Sequence, residues 1–319
     1  MIVRWGLDEL AGVLTELGIA SPLLISSARW SDQSLPIDPA ERWDEVPSAR
    51  IPEAAARAGD GVVALGGGSA IDLGKAVSAE AGVPLVSIPT TYAGAEWTGY
   101  FGIRDPDRKM RGGGAGAHIG GVVYEPMLTL SLPREETVGT AMNALAHCAE
   151  ALYVDGHNPE ADDHALQGAS LIGRWLPEVV ARPEDLEART HLLEGAMHAG
   201  MALGKSMLAL GHAMAQALGG RYGLPHGAMN AIVLPPALRF NREVAPEAVA
   251  RLGAALGGDA VERVEELARL GGYERLRDQG VPEEELAEVA AAASERAGAK
   301  ANPRPATPAQ IEELLRSVY

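Results

Sequence analysis

Apolar residues fall into short unbroken blocks over the first third of the chain: Pro22-Leu23-Leu24-Ile25-Ser26, Val62-Val63-Ala64-Leu65 and Pro84-Leu85-Val86-Ser87-Ile88. Blocks of this length bounded by Gly, Pro or Ser predict strands buried on both faces, as in a parallel sheet. Between them the period lengthens to a helical one over Ile51–Ala58 and Ala70–Ala81. Met1–Ala20 reads as an amphipathic helix bearing Asp8, Glu9 and Glu16, not as a signal peptide. Residues 30–50, rich in Pro, Asp, Ser and Trp, have no clean period and predict loop with one helical turn. Strand and helix in alternation imply a doubly wound, mostly parallel, Rossmann-like α/β sheet.

The pattern changes after Leu132. Ala141–Tyr153, Asp163–Val180 and Glu187–Leu218 carry helical periodicity, as does the Ala-rich tail, with almost no alternation. The expected organisation is therefore an α/β domain over residues 1–132 and an all-α domain over 133–319.

The first block of chemistry is Leu65-Gly66-Gly67-Gly68-Ser69-Ala70-Ile71-Asp72, at a strand-to-helix turn. Glycines there let backbone approach a ligand, and the free N–H groups of a new helix form an anion site. Ser69 stands where an N-cap is expected. The spacing is neither Gly-x-Gly-x-x-Gly nor a Walker loop.

Four further segments follow in order: Pro89-Thr90-Thr91-Tyr92-Ala93-Gly94-Ala95-Glu96, Asn143-Ala144-Leu145-Ala146-His147-Cys148-Ala149-Glu150, His212-Ala213-Met214-Ala215-Gln216 and Pro225-His226-Gly227. With the Gly-Gly-Gly-Ser turn and Lys75 they resemble the iron-containing alcohol dehydrogenase superfamily, from about residue 60 to about residue 240. Tyr92, and Asn143 where most members carry Asp, resemble its maleylacetate reductase branch. The resemblance implies a dehydroquinate synthase-like fold, a homodimer, a role in aromatic catabolism, and NADH or NADPH held by Gly66, Gly67, Gly68, Ser69, Asp72, Thr90, Thr91 and Ser26. It implies His147, His212 and His226 as catalytic residues, with Asn143 and Tyr92 at the substrate. In metal-dependent members the matching positions are one Asp and three His. Here a neutral amide replaces the only anionic ligand, so the expectation is catalysis without metal, with Fe or Zn on His147, His212, His226 and Asn143 as the alternative.

Two departures stand out. The stretch between the first two strand blocks is about a supersecondary unit shorter than in relatives. The first block ends in Ser26-Ser27-Ala28-Arg29, without the acid that would engage the adenosine ribose, which tilts the expectation toward NADPH.

Arg104–Arg111 is the densest basic stretch of an acidic protein. Lys109 and Arg111 are candidates to grip a substrate carboxylate, and an exposed hairpin with solvated charges is the competing reading. The remaining histidines match no ligand motif. His191 and His198 read as structural or exposed, and His118, His157 and His164 as solvent-facing. Met201, Met207 and Met214 read as a core stripe. Cys148 points about 100° away from His147 on a helix, which argues against a Cys–His nucleophile.

Composition narrows the field. At 319 residues the chain accommodates two cores, and its net charge of −16 argues against nucleic acid and anionic membranes as partners. A single cysteine fits a reducing cytoplasm, and no run approaches ~18 apolar residues. The expected function is an NAD(P)H-dependent oxidoreductase that reduces the activated C=C of maleylacetate to 3-oxoadipate. The alternatives are a metal-dependent alcohol dehydrogenase for a small alcohol or ketone, and a divergent biosynthetic or cyclase-type homologue.

Overall fold

The computed structural model describes all 319 residues, which divide into two compact units: Met1–Thr91 with Ala95–Ser131, and Tyr92–Gly94 with Leu132–Tyr319.

The first unit is built on six parallel strands. These are β1 (Ile2–Trp5), β2 (Pro22–Ser26), β3 (Glu41–Trp43), β4 (Gly61–Gly66), β5 (Pro84–Pro89) and β8 (His118–Tyr124), in the order β1-β8-β5-β4-β2-β3. A separate antiparallel hairpin joins β6 (Phe101–Arg104) to β7 (Met110–Gly114). Central strands β2 and β4 are buried at every position, which explains their continuous apolar runs. Their side chains alternate between two cores. Leu24, Val63 and Leu65 pack with Leu10 and Val13 of α1 (Leu10–Glu16). Leu23, Ile25, Val62 and Ala64 face the other way, toward Ala54 of α2 (Ile51–Ala55) and Leu73 and Val77 of α3 (Gly68–Ala81). The expected parallel α/β sheet is present.

Two expectations for this unit are corrected. Met1–Ala20 is not one helix: Ile2–Trp5 form an edge strand paired with Gly121–Tyr124, and Gly6 at φ 99° turns the chain before the helix begins. Residues 30–50 are not all loop, because Glu41–Trp43 add the outermost strand beside Leu23–Ile25. The helix that would precede such a strand is reduced to a single turn at Ala28–Trp30. A three-residue edge strand is too short to show a period in sequence.

The second unit contains only helices: α4 (Arg134–Ala151), α5 (Pro159–Ala181), α6 (Leu186–Lys205), α7 (Leu210–Tyr222), α8 (His226–Arg242), α9 (Pro246–Leu256), α10 (Ala260–Arg269), α11 (Leu286–Ser294), α12 (Ala297–Lys300) and α13 (Pro308–Arg316). Helix α4 runs through the middle and is buried at nearly every position from Thr137 to Ala151. Gly139 on α4 and Gly227 at the start of α8 have no side chains between them, so the two helices press together there. The long periodic stretch 187–218 is broken at Ser206–Ala209. The methionine stripe breaks with it: Met214 is fully buried, Met201 partly, and Met207 is 50% exposed.

Candidate active site

In the first unit Ser26, Gly66 and Pro89-Thr90 lie at one edge of the sheet, since Ser26 pairs with Leu65 and Gly66 with Pro89. Gly66 has φ 150°, and a Cβ there would come within 2.8 Å of Ala70. A Cβ on Gly67 would meet the Thr91 methyl at 2.8 Å, whereas Gly68 faces open space. Helix α3 starts two residues earlier than expected. Gly67 is its N-cap, its carbonyl already accepting from Ala70 and Ile71, and no side chain caps the helix. Ser69 is therefore not the cap but an exposed residue of the first turn. A glycine-lined, uncapped start of a 14-residue helix is the arrangement that accepts a pyrophosphate, so this unit fits a dinucleotide.

The other expected cofactor residues are tied into the unit. The Thr90 amide donates to the Gly66 carbonyl. Asp72 accepts from the Gly102 amide at 3.2 Å and pairs with buried Lys75, which also donates to the Tyr100 carbonyl at 2.9 Å. Helix α3 thereby holds the β6–β7 hairpin. Lys109 and Arg111 are exposed on that hairpin, and Arg111 Nε donates to Asp105 Oδ2 at 2.6 Å. Arg29, read as tolerant of a 2′-phosphate, instead donates to the Ser131 hydroxyl at 2.8 Å.

In the second unit three imidazoles gather. Asn143 and His147 share a face of α4, His212 lies in the first turn of α7, and His226 is the first residue of α8. The rings of His147 and His212 stack with centroids 4.8 Å apart and planes 13° apart, and His226 lies 5.6 Å from His212. His147 and His212 are 6% and 1% exposed.

Two asparagines order this group. Asn143 Nδ2 donates to the Ala93 carbonyl at 3.1 Å and lies 3.5 Å from His147 Nε2, while its Oδ1 accepts from Asn230 Nδ2 at 2.7 Å. Asn230 Nδ2 also lies 3.1 Å from His226 Nε2. A carbonyl only accepts, so the Ala93 contact fixes which way the Asn143 amide points. Its NH₂ therefore faces His147. An amide nitrogen does not ligate a dication and its oxygen is already engaged, so Asn143 adds no ligand atom to a metal's donor set, which is left with the three imidazoles alone.

Tyr92 lies deeper than expected. It is fully buried, and its hydroxyl accepts from Arg189 Nη1 at 3.0 Å. Its backbone amide donates to the Thr140 hydroxyl.

Glu150, Asn230 and Arg189 were not singled out in sequence. His226 and Asn230 repeat the four-residue spacing of Asn143 and His147, and that was the one available signal. Gln216 accepts from Arg296 Nη1 at 3.3 Å. His164 is partly buried, and its Nδ1 lies 3.0 Å from His198 Nδ1. His191 stacks on Trp175. Cys148 is buried, and burial pushes its thiol pKa well up, so it stays protonated.

Comparison with known proteins places these features. The model of the Fe-containing alcohol dehydrogenase family, C-terminal, matches residues 137–319, and that of iron-containing alcohol dehydrogenase matches residues 44–117. Maleylacetate reductase of Burkholderia cepacia is 39% identical over 84% of this chain and 76% of its own length. The crystal structure of maleylacetate reductase from Agrobacterium tumefaciens superposes with a TM-score of 0.89 at 30% identity, covering 100% of this chain and 95% of that one. An iron-containing alcohol dehydrogenase from Corynebacterium glutamicum gives 0.89 at 33% identity, covering 100% and 94%. Fold and relatives together define an oxidoreductase. The chain belongs to the iron-containing alcohol dehydrogenase family, near its maleylacetate reductase branch, and its function is maleylacetate reductase-like.

Proposed function

We propose that the protein is an NAD(P)H-dependent reductase of the activated C=C of a dicarboxylate, converting maleylacetate to 3-oxoadipate. The observation that carries this reading is the Asn143 amide, locked by Ala93 and Asn230 with its NH₂ toward His147. It sets a neutral amide beside three imidazoles where metal-dependent relatives place an acid.

Such a pocket suits proton delivery. Reduction of a conjugated C=C adds hydride to one olefinic carbon and a proton to its neighbour, and bound nicotinamide supplies the hydride. An imidazole can give that proton, and His212 or His226 serves. Asn230 and Asn143 hold the histidines in place. Gly66–Ser69 hold the cofactor pyrophosphate, with Ser26, Asp72, Thr90 and Thr91 shaping the surrounding edge. Lys109 and Arg111 grip a substrate carboxylate. Tyr92, pinned by Arg189, supports the backbone of the Ala93 loop rather than presenting its hydroxyl to substrate.

Aromatic catabolism in the cytoplasm by a homodimer completes the reading. A lone buried thiol fits a reducing compartment, and no helix is long and apolar enough to cross a membrane.

A panel of maleylacetate, small aldehydes, ketones and secondary alcohols, each with NADH and NADPH, tests it. Oxidation of the reduced cofactor is expected with maleylacetate alone. Turnover confined to simple alcohols or ketones would replace this reading with an alcohol dehydrogenase. Silence across the panel would point to cyclase-type or altered chemistry.

A further inference from the structure

The buried carboxylate of Glu150 lies behind the histidine cluster, near the C-terminal end of α4, and is fully enclosed. Helix α7 begins with Ala209 as its N-cap, a residue with no side-chain acceptor for the free N–H groups. Glu150 fills that role from another helix. Its Oε2 accepts from the Ala209 amide at 2.6 Å and its Oε1 from the His212 amide at 3.0 Å. His212 is the third residue of α7, the position whose N–H an ordinary N-cap side chain receives. The carboxylate also sits at the positive end of the helix dipole.

The same group holds the His212 ring. Glu150 Oε2 lies 2.7 Å from His212 Nδ1. A carboxylate has no proton to give, so Nδ1 must donate, and the proton of the neutral ring resides on Nδ1. The opposite nitrogen, Nε2, is buried and has no hydrogen-bond partner. It belongs to the ring that stacks on His147 and lies tilted beside His226. A buried imidazole nitrogen without a partner is costly unless something visits it.

We propose that Glu150 is a positioning residue that fixes the Nδ1–H tautomer of His212 and thereby presents Nε2 as the atom that carries the catalytic proton. This rests on the reductase reading for what Nε2 serves. Nε2 acquires a proton from water between turnovers and delivers it to the olefinic carbon next to the one that received hydride. The ring is then neutral again with its proton on Nδ1. The site thus needs an acceptor with two oxygens. One oxygen of the carboxylate is committed to each backbone donor, and an amide cannot match this. In Glu150→Gln the NH₂ must replace an acceptor facing the Ala209 amide and Nδ1, or one facing the His212 amide. The first arrangement drives the ring to the Nε2–H tautomer.

The test begins with the wild-type protein without substrate. Long-range ¹H–¹⁵N correlation of the imidazoles, assigned with His212→Gln, is expected to show His212 as the Nδ1–H tautomer at neutral pH. An Nε2–H tautomer overturns the proposal, whatever the substrate proves to be. If maleylacetate turnover fails while Nδ1–H is seen, the reductase reading falls and the tautomer assignment stands. In kinetics, Glu150→Gln is expected to lower kcat by ~10²-fold or more while KM changes less than about 3-fold. His212→Gln should lose as much, and the double variant no more than either alone. Should Glu150→Gln fail to fold, Glu150→Asp, which keeps both oxygens, is expected to retain the tautomer with reduced kcat. Full kcat in a folded Glu150→Gln, with only thermal stability reduced, would make Glu150 a helix cap and nothing more.

Discussion

Asn143 Nδ2 donates to the carbonyl oxygen of Ala93 at 3.1 Å, tying the central helix to the loop that follows Thr91. A carboxylate at this position would place two acceptors against each other. Asn143→Asp is therefore expected to cost about 1–3 kcal/mol, read as a lower urea midpoint. The same geometry has a consequence for metal. Purified wild-type protein should carry substoichiometric Fe or Zn and keep its activity through chelation. One tightly held metal per chain by elemental analysis, with activity lost to chelator, would contradict this and favour the alcohol dehydrogenase alternative.

Gly67 sits against the Thr91 methyl at the uncapped start of α3. Gly67→Asp adds both bulk and negative charge where the pyrophosphate belongs. Binding of NADH or NADPH, followed by nicotinamide fluorescence, is expected in the micromolar range for wild type and to disappear in the variant. Equal binding by both would remove the turn from the cofactor site.

Lys109 and Arg111 lie on the exposed hairpin that Asp72 and Lys75 tie to α3. Lys109→Ala and Arg111→Ala should mainly raise KM for maleylacetate, because a carboxylate grip is present in ground and transition states alike. A fall in kcat with KM unchanged would assign them elsewhere. Arg111→Ala also removes one partner of Asp105, which keeps the Lys109 amide.

Arg189 is almost fully buried and donates to the Tyr92 hydroxyl and, at 2.6 Å, to the Pro183 carbonyl. Arg189→Met keeps much of the volume and removes the donor to the buried Tyr92 hydroxyl, at about 1–3 kcal/mol. Denaturant unfolding monitored by circular dichroism measures the loss. Tyr92→Phe removes one acceptor along with its need for a donor and should cost less.

His198 titrates below the ordinary histidine range, because burial and then the adjacent His164 disfavour its charge, while Glu194 opposes the shift. The unfolded chain takes up this proton near pH ~6.5, and the folded chain only at lower pH. Protons thus favour the unfolded state in that window, and stability contributed by the neutral ring is lost as pH falls from about 6.5 through the folded value. Thermal unfolding between pH 7 and 5 should show this slope in wild type and a shallower one in His198→Gln. Identical slopes would mean that the pair titrates freely.

Local signals were enough for the central sheet and for the helical character of the second half. Strands β2, β4 and β5 are buried at nearly every position, so they are almost wholly apolar and the run is visible without knowing its neighbours. The edge strands were not visible. Glu41–Trp43 is three residues long and largely exposed, and Ile2–Trp5 takes its pairing from Gly121–Tyr124, over a hundred residues away. Asn143 and His147 were recognised because the motif that carries them is a continuous stretch of one helix and resembles its counterpart in the family.

By itself the sequence determined the parallel α/β and helical halves, the glycine turn, the three histidines and the family they signal. It determined these because periodicity, turn chemistry and motif spacing are local properties. Only the tertiary structure decided what each polar atom faces. It turned the Asn143 amide toward His147 through Ala93 and Asn230, sank Tyr92 beneath Arg189, and set Glu150 against both the α7 backbone and His212. The physical reason is the cost of burying an unpaired polar group. That cost is met by whichever partner the fold brings within about 3 Å, and here the partners come from separate helices and loops.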